Sequence, residues 1–209
     1  YNAKNNLKLE TYASGEAQVA ALADDIAYNN HDIDDGLRAE LFNMEDLFDL
    51  PGGGEIFQKV VAGFPDIGKS RQRHEAVRDL IGAMVTDCLT ETQQRLKEAA
   101  PSNVVDIRAF GRPVVSFSEA MHEIDRSLKD FLFSNMYRHD RVNEMTIKAR
   151  DVVSELFNLL LAEPEKLPVE WQHNIDGKNN EQTAQVVADY IAGMTDRFAY
   201  DEHDKLVSK

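Results

Sequence analysis

Three side chains that carry oxygen ligands or donors follow one another at four-residue spacing near the start of the chain. They are Asp24, Tyr28 and Asp32, with His31 beside them. An α-helix places residues three and four apart on one face, so the three form a single stripe. Because the run follows the apolar segment 19–22, we expect the stripe to face the core, where carboxylates need pairing, hydrogen bonds or a metal. Divalent cations such as Mg²⁺ take carboxylate oxygens as ligands, so a metal site is the first chemistry to consider.

The same spacing also has a purely structural interpretation. A helix that begins near Ser14 and ends near Gly36 would carry its last acids into solvent without any catalytic role. Surface helices commonly present Asp and Glu on the face opposite the core. The spacing alone therefore leaves the catalytic and the structural interpretations open.

Composition places the chain among soluble globular proteins and argues against some partners. Its 209 residues are 43% hydrophobic and 29% charged, and this length favours one domain. Twenty-three basic residues against 37 acidic ones give a formal charge of −14, which disfavours broad nucleic-acid binding. A polyanionic small molecule held in a local basic pocket stays possible. Two clusters are rich in basic residues: Lys69, Arg71, Arg73 and His74, and Arg138, His139 and Arg141.

Several absences from the sequence bear on location. No run of 18 apolar residues predicts a membrane span, and the first residues lack the apolar core of a signal peptide. The single Cys88 excludes an internal disulfide and is typical of a reducing compartment. We therefore expect a cytoplasmic protein without membrane contact. The chain also begins without Met, so we expect it to be part of a longer protein.

Apolar residues at three- and four-residue spacing predict helices almost throughout, and thus an all-α fold that forms one compact domain or the larger part of one. Segment 102–116 is expected to be irregular, with a turn and a short extended piece at 111–115. Ser116 and Glu119 have the spacing of a capping box. The buried face of the long helix is predicted to hold Val77, Leu80, Ile81, Met84, Val85 and Leu89. The predicted helices are 14–35, 37–42, 44–48, 55–64, 69–100, 116–137, 141–161 and 179–199.

Four blocks of sequence carry a resemblance to a known family. They are 16–35, 73–81, 131–142 and 189–197. In this order they resemble the HD-domain nucleotide phosphohydrolases, in particular the bacterial deoxyguanosinetriphosphate triphosphohydrolase-like group. The blocks cover nearly the whole chain.

The resemblance implies an HD-type helical bundle that is truncated on its N-terminal side. Residues 14–100 would be part of the HD core, and 101–209 a C-terminal helical region. In the family, a His and a His-Asp pair that bind the metal lie well upstream of the block around Asp24. The 23 residues before Asp24 contain no His. The chain thus resembles only the C-terminal half of such an enzyme, and we expect this half alone to be inactive.

The resemblance also implies an activity and roles for individual residues. Members of this group cleave a deoxynucleoside triphosphate to the deoxynucleoside and tripolyphosphate with a divalent metal, Mg²⁺ or Mn²⁺ being expected here. Asp24 corresponds to a metal ligand of the family. Tyr28 and Asp32 match positions that contact the phosphate and the sugar of the substrate.

Arg71, Arg73 and His74 are further candidates for substrate binding. They open the long predicted helix, where backbone N–H groups and the helix dipole favour anions. A solvated helix start is the alternative explanation for these three residues.

A second function stays open beside the enzyme. The chain could be a non-catalytic all-α module that regulates a partner or forms a homo-oligomer, because the family's HD pair is absent from it. The intact Asp24–Tyr28 segment favours the enzyme.

Overall fold

A computed structural model describes residues 2–207, and over this range the protein is helical without any β-strand, which confirms the all-α prediction. Within the same range, no helix is long and apolar enough to cross a membrane. The α-helices are α1 (Asn2–Asn5), α2 (Gly15–Arg38), α3 (Gly54–Gly63), α4 (Gly68–Ala99), α5 (Val104–Ala109), α6 (Glu119–Leu132), α7 (Asp140–Ala162), α8 (Val169–Gln172), α9 (Glu181–Ala192) and α10 (Asp196–Leu206). Two 3₁₀ turns cover Met44–Leu47 and Pro164–Lys166, and a π-helical turn covers Phe133–Tyr137.

The chain divides after His139 into two compact units, each with its own buried cluster. In the first unit, α2, α3, α4 and α6 enclose a core that includes Phe57, Leu80 and Leu128. In the second unit, Leu160 of α7 and Val187 of α9 belong to a separate core. The boundary near residue 100 that the resemblance implied lies inside the first unit, and the assignment of 14–100 to an HD core stays a prediction.

Helix α2 begins where the sequence predicted and ends three residues later. The Ser14 hydroxyl accepts the Ala17 N–H at 3.4 Å and caps its first turn. The predicted short helix 37–42 is wrong, since the chain turns back after α2 and places the Phe42 ring over Gly36. A β-carbon at Gly36 would lie 2.3 Å from Cε1 of Phe42, so only glycine permits this approach.

Helix α4 packs along a narrower face than the apolar pattern predicted. Leu80 and Met84 are fully buried. Val85 and Leu89, which were predicted to be buried, are 41% and 57% exposed. The reason is that α2 and α3 pack against one side of α4, and residues on its other side stay at the surface.

The predicted start of one helix moved because its capping residue differs from the one inferred. Helix α6 is capped by Ser118 and not by Ser116, since Ser118 accepts the Met121 N–H at 3.3 Å. Asp87 of α4 holds this start by accepting the N–H and the hydroxyl of Ser118 at 2.8 and 2.6 Å. Segment 102–116, which was predicted to be irregular, contains the short helix α5.

The last predicted helix, 179–199, is two helices. Helix α9 ends at Ala192, and Gly193 follows as its C-cap. Thr195 then starts α10 by accepting the Phe198 N–H at 3.4 Å. A glycine after one helix and a threonine cap before the next are strong boundary signals, and they override the continuous apolar pattern.

Candidate functional site

Helix α2 has a buried face and an exposed face, and the predicted stripe lies on the exposed one. Ile26, Asn29 and Ile33 lie on the buried face. Asp24 is exposed, the Tyr28 side chain is 60% exposed, and Asp32 is half-buried. The expectation that this stripe faces the core is therefore wrong. The apolar residues Ile26 and Ile33 lie on a different side of α2 from the stripe, and it is their side that packs against the core. His31 is also exposed.

Of the five carboxylates in 24–35, four are paired with groups on the first unit. Asp25 lies 3.6 Å from Nζ of Lys129, and Asp32 accepts a hydrogen bond from the Tyr137 hydroxyl. Arg73 donates its Nε–H to Asp34 at 2.7 Å, and Arg38 donates to Asp35 at 2.6 Å. Among the residues that the structure describes, Asp24 has neither an ion pair nor a hydrogen bond through its carboxylate. Asp24 is thus the carboxylate of this run that is available for a ligand.

Tyr28, Asp32 and Tyr137 form a cluster on the exposed side of α2. The Tyr137 hydroxyl donates to Oδ2 of Asp32, and the Tyr28 hydroxyl is close enough to interact with it too. Burial raises the pKa of Tyr137, and the hydrogen bond to the Asp32 carboxylate raises it further. The phenol therefore stays protonated and acts as a donor to Asp32. The structure brings Tyr28 and Asp32 together, as the sequence predicted.

Sequence reasoning missed Tyr137 as part of this cluster. The residue lies in one of the blocks that carry the family resemblance, 131–142, but nothing in the local pattern places it near α2. The contact spans 105 positions of the chain. Spacing arguments find neighbours on one helix, whereas a contact of this range depends on how α2 packs against α6 and the π-helical turn that follows it.

A polar network joins α2 to α6, and its members Asn29 and Asp125 are buried. Asp125, which is 8% exposed, accepts a hydrogen bond from Nδ2 of Asn29 at 2.9 Å. The Lys129 ammonium lies 2.9 Å from the other Asp125 oxygen and also faces Asp25. Burial lowers the pKa of Lys129, but the hydrogen bonds and charges of Asp125 and Asp25 together outweigh that effect, so the pKa is raised. This network fixes the orientation of α2 and hence of its exposed residues.

The three basic candidates at the start of α4 do not share one site. Arg73 is largely buried and is tied to Asp34 of α2, and its Nη2 lies 3.0 Å from Nε2 of His74. Arg71 and His74 line a shallow cleft with Phe64. In residues 2–207 the structure has no hydrogen bond or ion pair between these three residues and the Tyr28–Asp32–Tyr137 cluster.

A cleft of about 540 Å³ lies beside Arg73, and its lining includes Arg38, Lys69 and Ser70. The first turn of α4 contains no acidic residue, and no side chain caps its N–H groups. Glu40 and Glu45 also line this cleft, so basic and acidic side chains meet at this end of α4.

No group of three or more His, Cys, Asp or Glu side chains within residues 2–207 has the arrangement of a metal site. Asp24 could supply one oxygen ligand, since it is exposed and unpaired. Its carboxylate fits a hard divalent cation by chemistry, although one protein ligand does not make a tight site.

Comparison with known proteins agrees with the resemblance inferred from the sequence. The family model of the phosphohydrolase-associated domain matches residues 115–205. A deoxyguanosinetriphosphate triphosphohydrolase-like protein of Parvibaculum lavamentivorans is 54% identical over 206 residues, which are 99% of this chain and 52% of that protein. Proteins with the same name from Caulobacter sp. and Cereibacter sphaeroides are 48% and 46% identical and are covered to 52% and 54%.

The chain spans about half the length of the curated relatives it matches. The similarity extends over nearly the whole of the chain, so it includes the α2 stripe, the start of α4 and Tyr137. Residues 115–205 are thus similar to the phosphohydrolase-associated domain, and nearly the whole chain is similar to about half of the deoxyguanosinetriphosphate triphosphohydrolase-like proteins.

Proposed function

We propose that the protein to which this chain belongs hydrolyses a deoxynucleoside triphosphate at the α-phosphate and releases the deoxynucleoside and tripolyphosphate. The names of the homologous proteins support a triphosphohydrolase. The observation that carries the proposal is the exposed face of α2, where the unpaired Asp24 carboxylate precedes Tyr28 and Asp32 by one and two helical turns.

Asp24 is the proposed metal ligand of this chain, with Mg²⁺ or Mn²⁺ as the ion. The other ligands would be water, substrate oxygens or side chains outside residues 2–207. When bound, such an ion polarises the phosphate and lowers the pKa of a coordinated water. The four neighbouring carboxylates, those of Asp25, Asp32, Asp34 and Asp35, each already have a positively charged or hydrogen-bonding partner. This difference supports the choice of Asp24 as the metal ligand.

Tyr28 and Asp32 are the proposed substrate contacts on the same face. The hydroxyl of the exposed Tyr28 can donate to a phosphate oxygen. Asp32 can accept a hydrogen bond from a sugar hydroxyl, because a carboxylate has more acceptor sites than the one taken by Tyr137. Phosphoryl transfer depends mainly on such positioning and on charge stabilisation.

Further proposed substrate-binding residues lie at the start of α4: Arg71, Arg73 and His74. Arg71 makes no ion pair within the described range, so its guanidinium is available to a phosphate. Arg73 uses its Nε–H on Asp34, and only its remaining donors could reach a ligand. The uncapped first turn of α4 favours an anion near Arg71, which lies in that turn.

Turnover by the full-length protein is the direct test of this function. Each deoxynucleoside triphosphate is incubated with the protein and Mn²⁺ or Mg²⁺, and the products are separated by chromatography. Deoxynucleoside together with tripolyphosphate supports the proposal. Release of pyrophosphate or of single phosphates, or no turnover of any nucleotide, would exclude it.

The metal role is tested by comparing Asp24→Asn with Asp25→Asn in the full-length protein. Both changes remove one charge from an exposed position, but Asp25 faces Lys129 on another side of α2. We expect metal binding and turnover to fall at least a hundredfold in Asp24→Asn and less than threefold in Asp25→Asn. Equal losses in both variants would show that Asp24 is an ordinary surface acid.

A non-catalytic, self-associating module is the second candidate, and the exposed apolar side chains of α7 favour it. Met145 and Val153 line one shallow cleft beside α10 and are 70% and 44% exposed. Apolar patches of this kind often mark protein interfaces. Light scattering that shows an oligomer, together with no turnover by the full-length protein, would favour the module over the enzyme. An oligomer that hydrolyses nucleotides would agree with the first proposal.

A further inference from the structure

The side of α4 that lies away from the core carries a row of uncharged residues. Leu80 and Met84 on the opposite side are fully buried. Surface helices ordinarily present charged residues on the side away from the core, whereas the cores of protein interfaces are depleted in charge. Val85, Leu89 and Leu96 of the row are 41%, 57% and 36% exposed. We call the row the α4 face, and its exposed members are Gly82, Val85, Thr86, Leu89, Gln93 and Leu96.

The threonines on this side of α4 present little polar surface. The Thr86 hydroxyl donates to the Gly82 carbonyl at 2.7 Å, and the hydroxyl of the adjoining Thr90 donates to the Thr86 carbonyl at 2.8 Å. Both hydroxyls are therefore satisfied within the helix itself. The methyl groups remain for contact with another surface, so the α4 face is more apolar than its sequence suggests.

The α4 face is complementary to itself when two copies of the helix lie antiparallel with Leu89 at the centre. Gly82 precedes Leu89 by seven residues and Leu96 follows it by seven. Each Gly82 therefore lies level with Leu96 of the other copy. No atom of another element lies within 4 Å of a β-carbon added at Gly82, so the space over this glycine can receive the leucine side chain.

Charges that flank the α4 face fit the same arrangement. Asp79 and Lys97 both lie about 80° round the helix from Leu89, on the same flank. In the antiparallel pair, Asp79 of one copy and Lys97 of the other are separated by about 3 Å along the helix axis, which permits an ion pair. Asp79 otherwise contacts its neighbour Arg78, and Lys97 makes no ion pair within residues 2–207. In a parallel pair the same two charges would be about 27 Å apart along the axis, and Gly82 would face Gly82 across a gap.

We propose that two copies of the protein associate through the α4 face, as an antiparallel helix pair with a twofold axis at Leu89. In such an interface every contact between two different residues occurs twice. The inference does not depend on the proposed hydrolysis, since an active and an inactive protein can both form the dimer. It assigns self-association to α4 and not to the exposed residues Met145 and Val153 of α7.

Cross-linking of the full-length protein tests the antiparallel arrangement. Cys88 and any further cysteine are replaced by alanine, and Gly82→Cys and Leu96→Cys are introduced separately and together. The two positions are about 21 Å apart on one helix, so a much shorter bifunctional maleimide joins them only between copies. We expect a cross-linked dimer from the double variant and none from either single variant. No cross-link in the double variant, or cross-linking of Gly82→Cys alone, would overturn the arrangement.

Leu89→Glu in the full-length protein tests the centre of the α4 face, with Val153→Glu as the matched control. Both changes place a carboxylate at an exposed apolar position of a helix, so both variants should fold. In the dimer Leu89 meets its own copy, and two carboxylates there would repel each other. We expect the dissociation constant of the dimer, measured by sedimentation equilibrium, to rise at least about a hundredfold in Leu89→Glu and less than about threefold in Val153→Glu.

Three results of this comparison would overturn the proposal. One is an unchanged full-length protein that is monomeric at every attainable concentration. Another is a dimer that Val153→Glu weakens as much as Leu89→Glu does, because the interface would then not be centred on α4. The third is a Leu89→Glu variant that loses its helical circular dichroism, because another part of the same polypeptide would then cover the α4 face.

Exchange of the flanking charges tests which residues lie opposite one another. Asp79→Lys or Lys97→Asp alone would place like charges together at both ends of the pair. We expect each single change to raise the dissociation constant about tenfold, and the double variant to return within about threefold of the unchanged protein. A double variant that is weakened by the combined effect of the two single changes would show that Asp79 and Lys97 do not meet, and the proposed pairing would be wrong.

Discussion

Gly36→Ala is expected to destabilise the first unit, although alanine is the better helix former. Gly36 lies in the last turn of α2, and an added β-carbon would lie 2.3 and 2.4 Å from Cε1 and Cζ of Phe42. The Phe42 ring cannot easily retreat, because it is 5% exposed and packs edge-on against Phe131 with the ring centroids 4.9 Å apart. Relief of the clash therefore requires a shift of the ring by about an ångström or a bend at the end of α2.

The magnitude follows from two opposing effects. Overpacking a well-filled core costs about 1–3 kcal/mol, and contacts this short belong at the upper end of that range. Replacing glycine by alanine within a helix stabilises by about 1 kcal/mol, and by less than this in a last turn. The expected net effect of Gly36→Ala is a loss of about 2 kcal/mol from the free energy of unfolding.

Gly82→Ala is expected to raise the free energy of unfolding of the same unit, in contrast to Gly36→Ala. Gly82 is exposed in the middle of α4, and no atom outside its own helix lies within 4 Å of the added β-carbon. Only the helix-propensity effect remains, so this variant should gain about 0.5–1 kcal/mol. Both variants replace a helical glycine by alanine, and they differ only in the space that the structure leaves for the added methyl group.

Urea unfolding followed by circular dichroism measures both variants. Fluorescence of Trp171, the single tryptophan, follows the second unit, so a change confined to the first unit can be recognised. The slope of the free energy against urea should stay constant if only stability changes. A Gly36→Ala variant that is as stable as the unchanged chain would refute the packing of Phe42 over Gly36. A Gly82→Ala variant less stable than Gly36→Ala would contradict the comparison as a whole.

Two further predictions concern the groups around the exposed stripe. Asp125→Ala should lower the free energy of unfolding by about 3 kcal/mol, because it leaves the buried Asn29 amide without its acceptor and Lys129 without its nearer carboxylate. Asp25→Ala, which removes the more distant and exposed carboxylate, should lower it by less than about 0.5 kcal/mol. Equal losses in the two variants, measured by the same urea unfolding, would argue against the network. The raised pKa of Tyr137 means that its contribution to stability is complete below the ordinary tyrosine pKa of 10.0 and is lost as the pH rises above it. Thermal unfolding between pH 9 and 11 should therefore show a shallower alkaline decline in Tyr137→Phe, and an unchanged decline would contradict this assignment.

Much of the helical architecture was predictable because it depends on local patterns. Ser14 marks the start of α2, and Pro101 follows the end of α4, where Ala100 takes a left-handed conformation with φ of 40°. Apolar spacing also located the buried positions Leu80 and Met84. Caps and periodicity act within a few residues, so a single sequence contains enough information to find them.

The features that escaped prediction depend on contacts between distant segments. The stripe of α2 was expected to be buried because its flanks are apolar, whereas the packing of α4 and α6 decides which side of α2 is covered. Asp87 fixes the start of α6 from 31 residues away, which moved the cap from Ser116 to Ser118. The π-helical turn before Arg138 has no recognised local signal. For the same reason Tyr137 became visible as a partner of Asp32 only in the structure.

The two proposed ends of the site are far enough apart to constrain the ligand. Asp24 and Asp32 are eight residues apart on α2, which corresponds to about 12 Å along the helix axis. A single phosphate group cannot contact both carboxylates, and Tyr28 occupies the turn between them. A ligand that uses the whole stripe must therefore extend along α2, with its metal-bound part near Asp24 and its hydrogen-bond donor near Asp32. A nucleotide has this polarity, since its phosphates coordinate metal and its sugar carries a hydroxyl, whereas inorganic phosphate or tripolyphosphate alone would use only the Asp24 end.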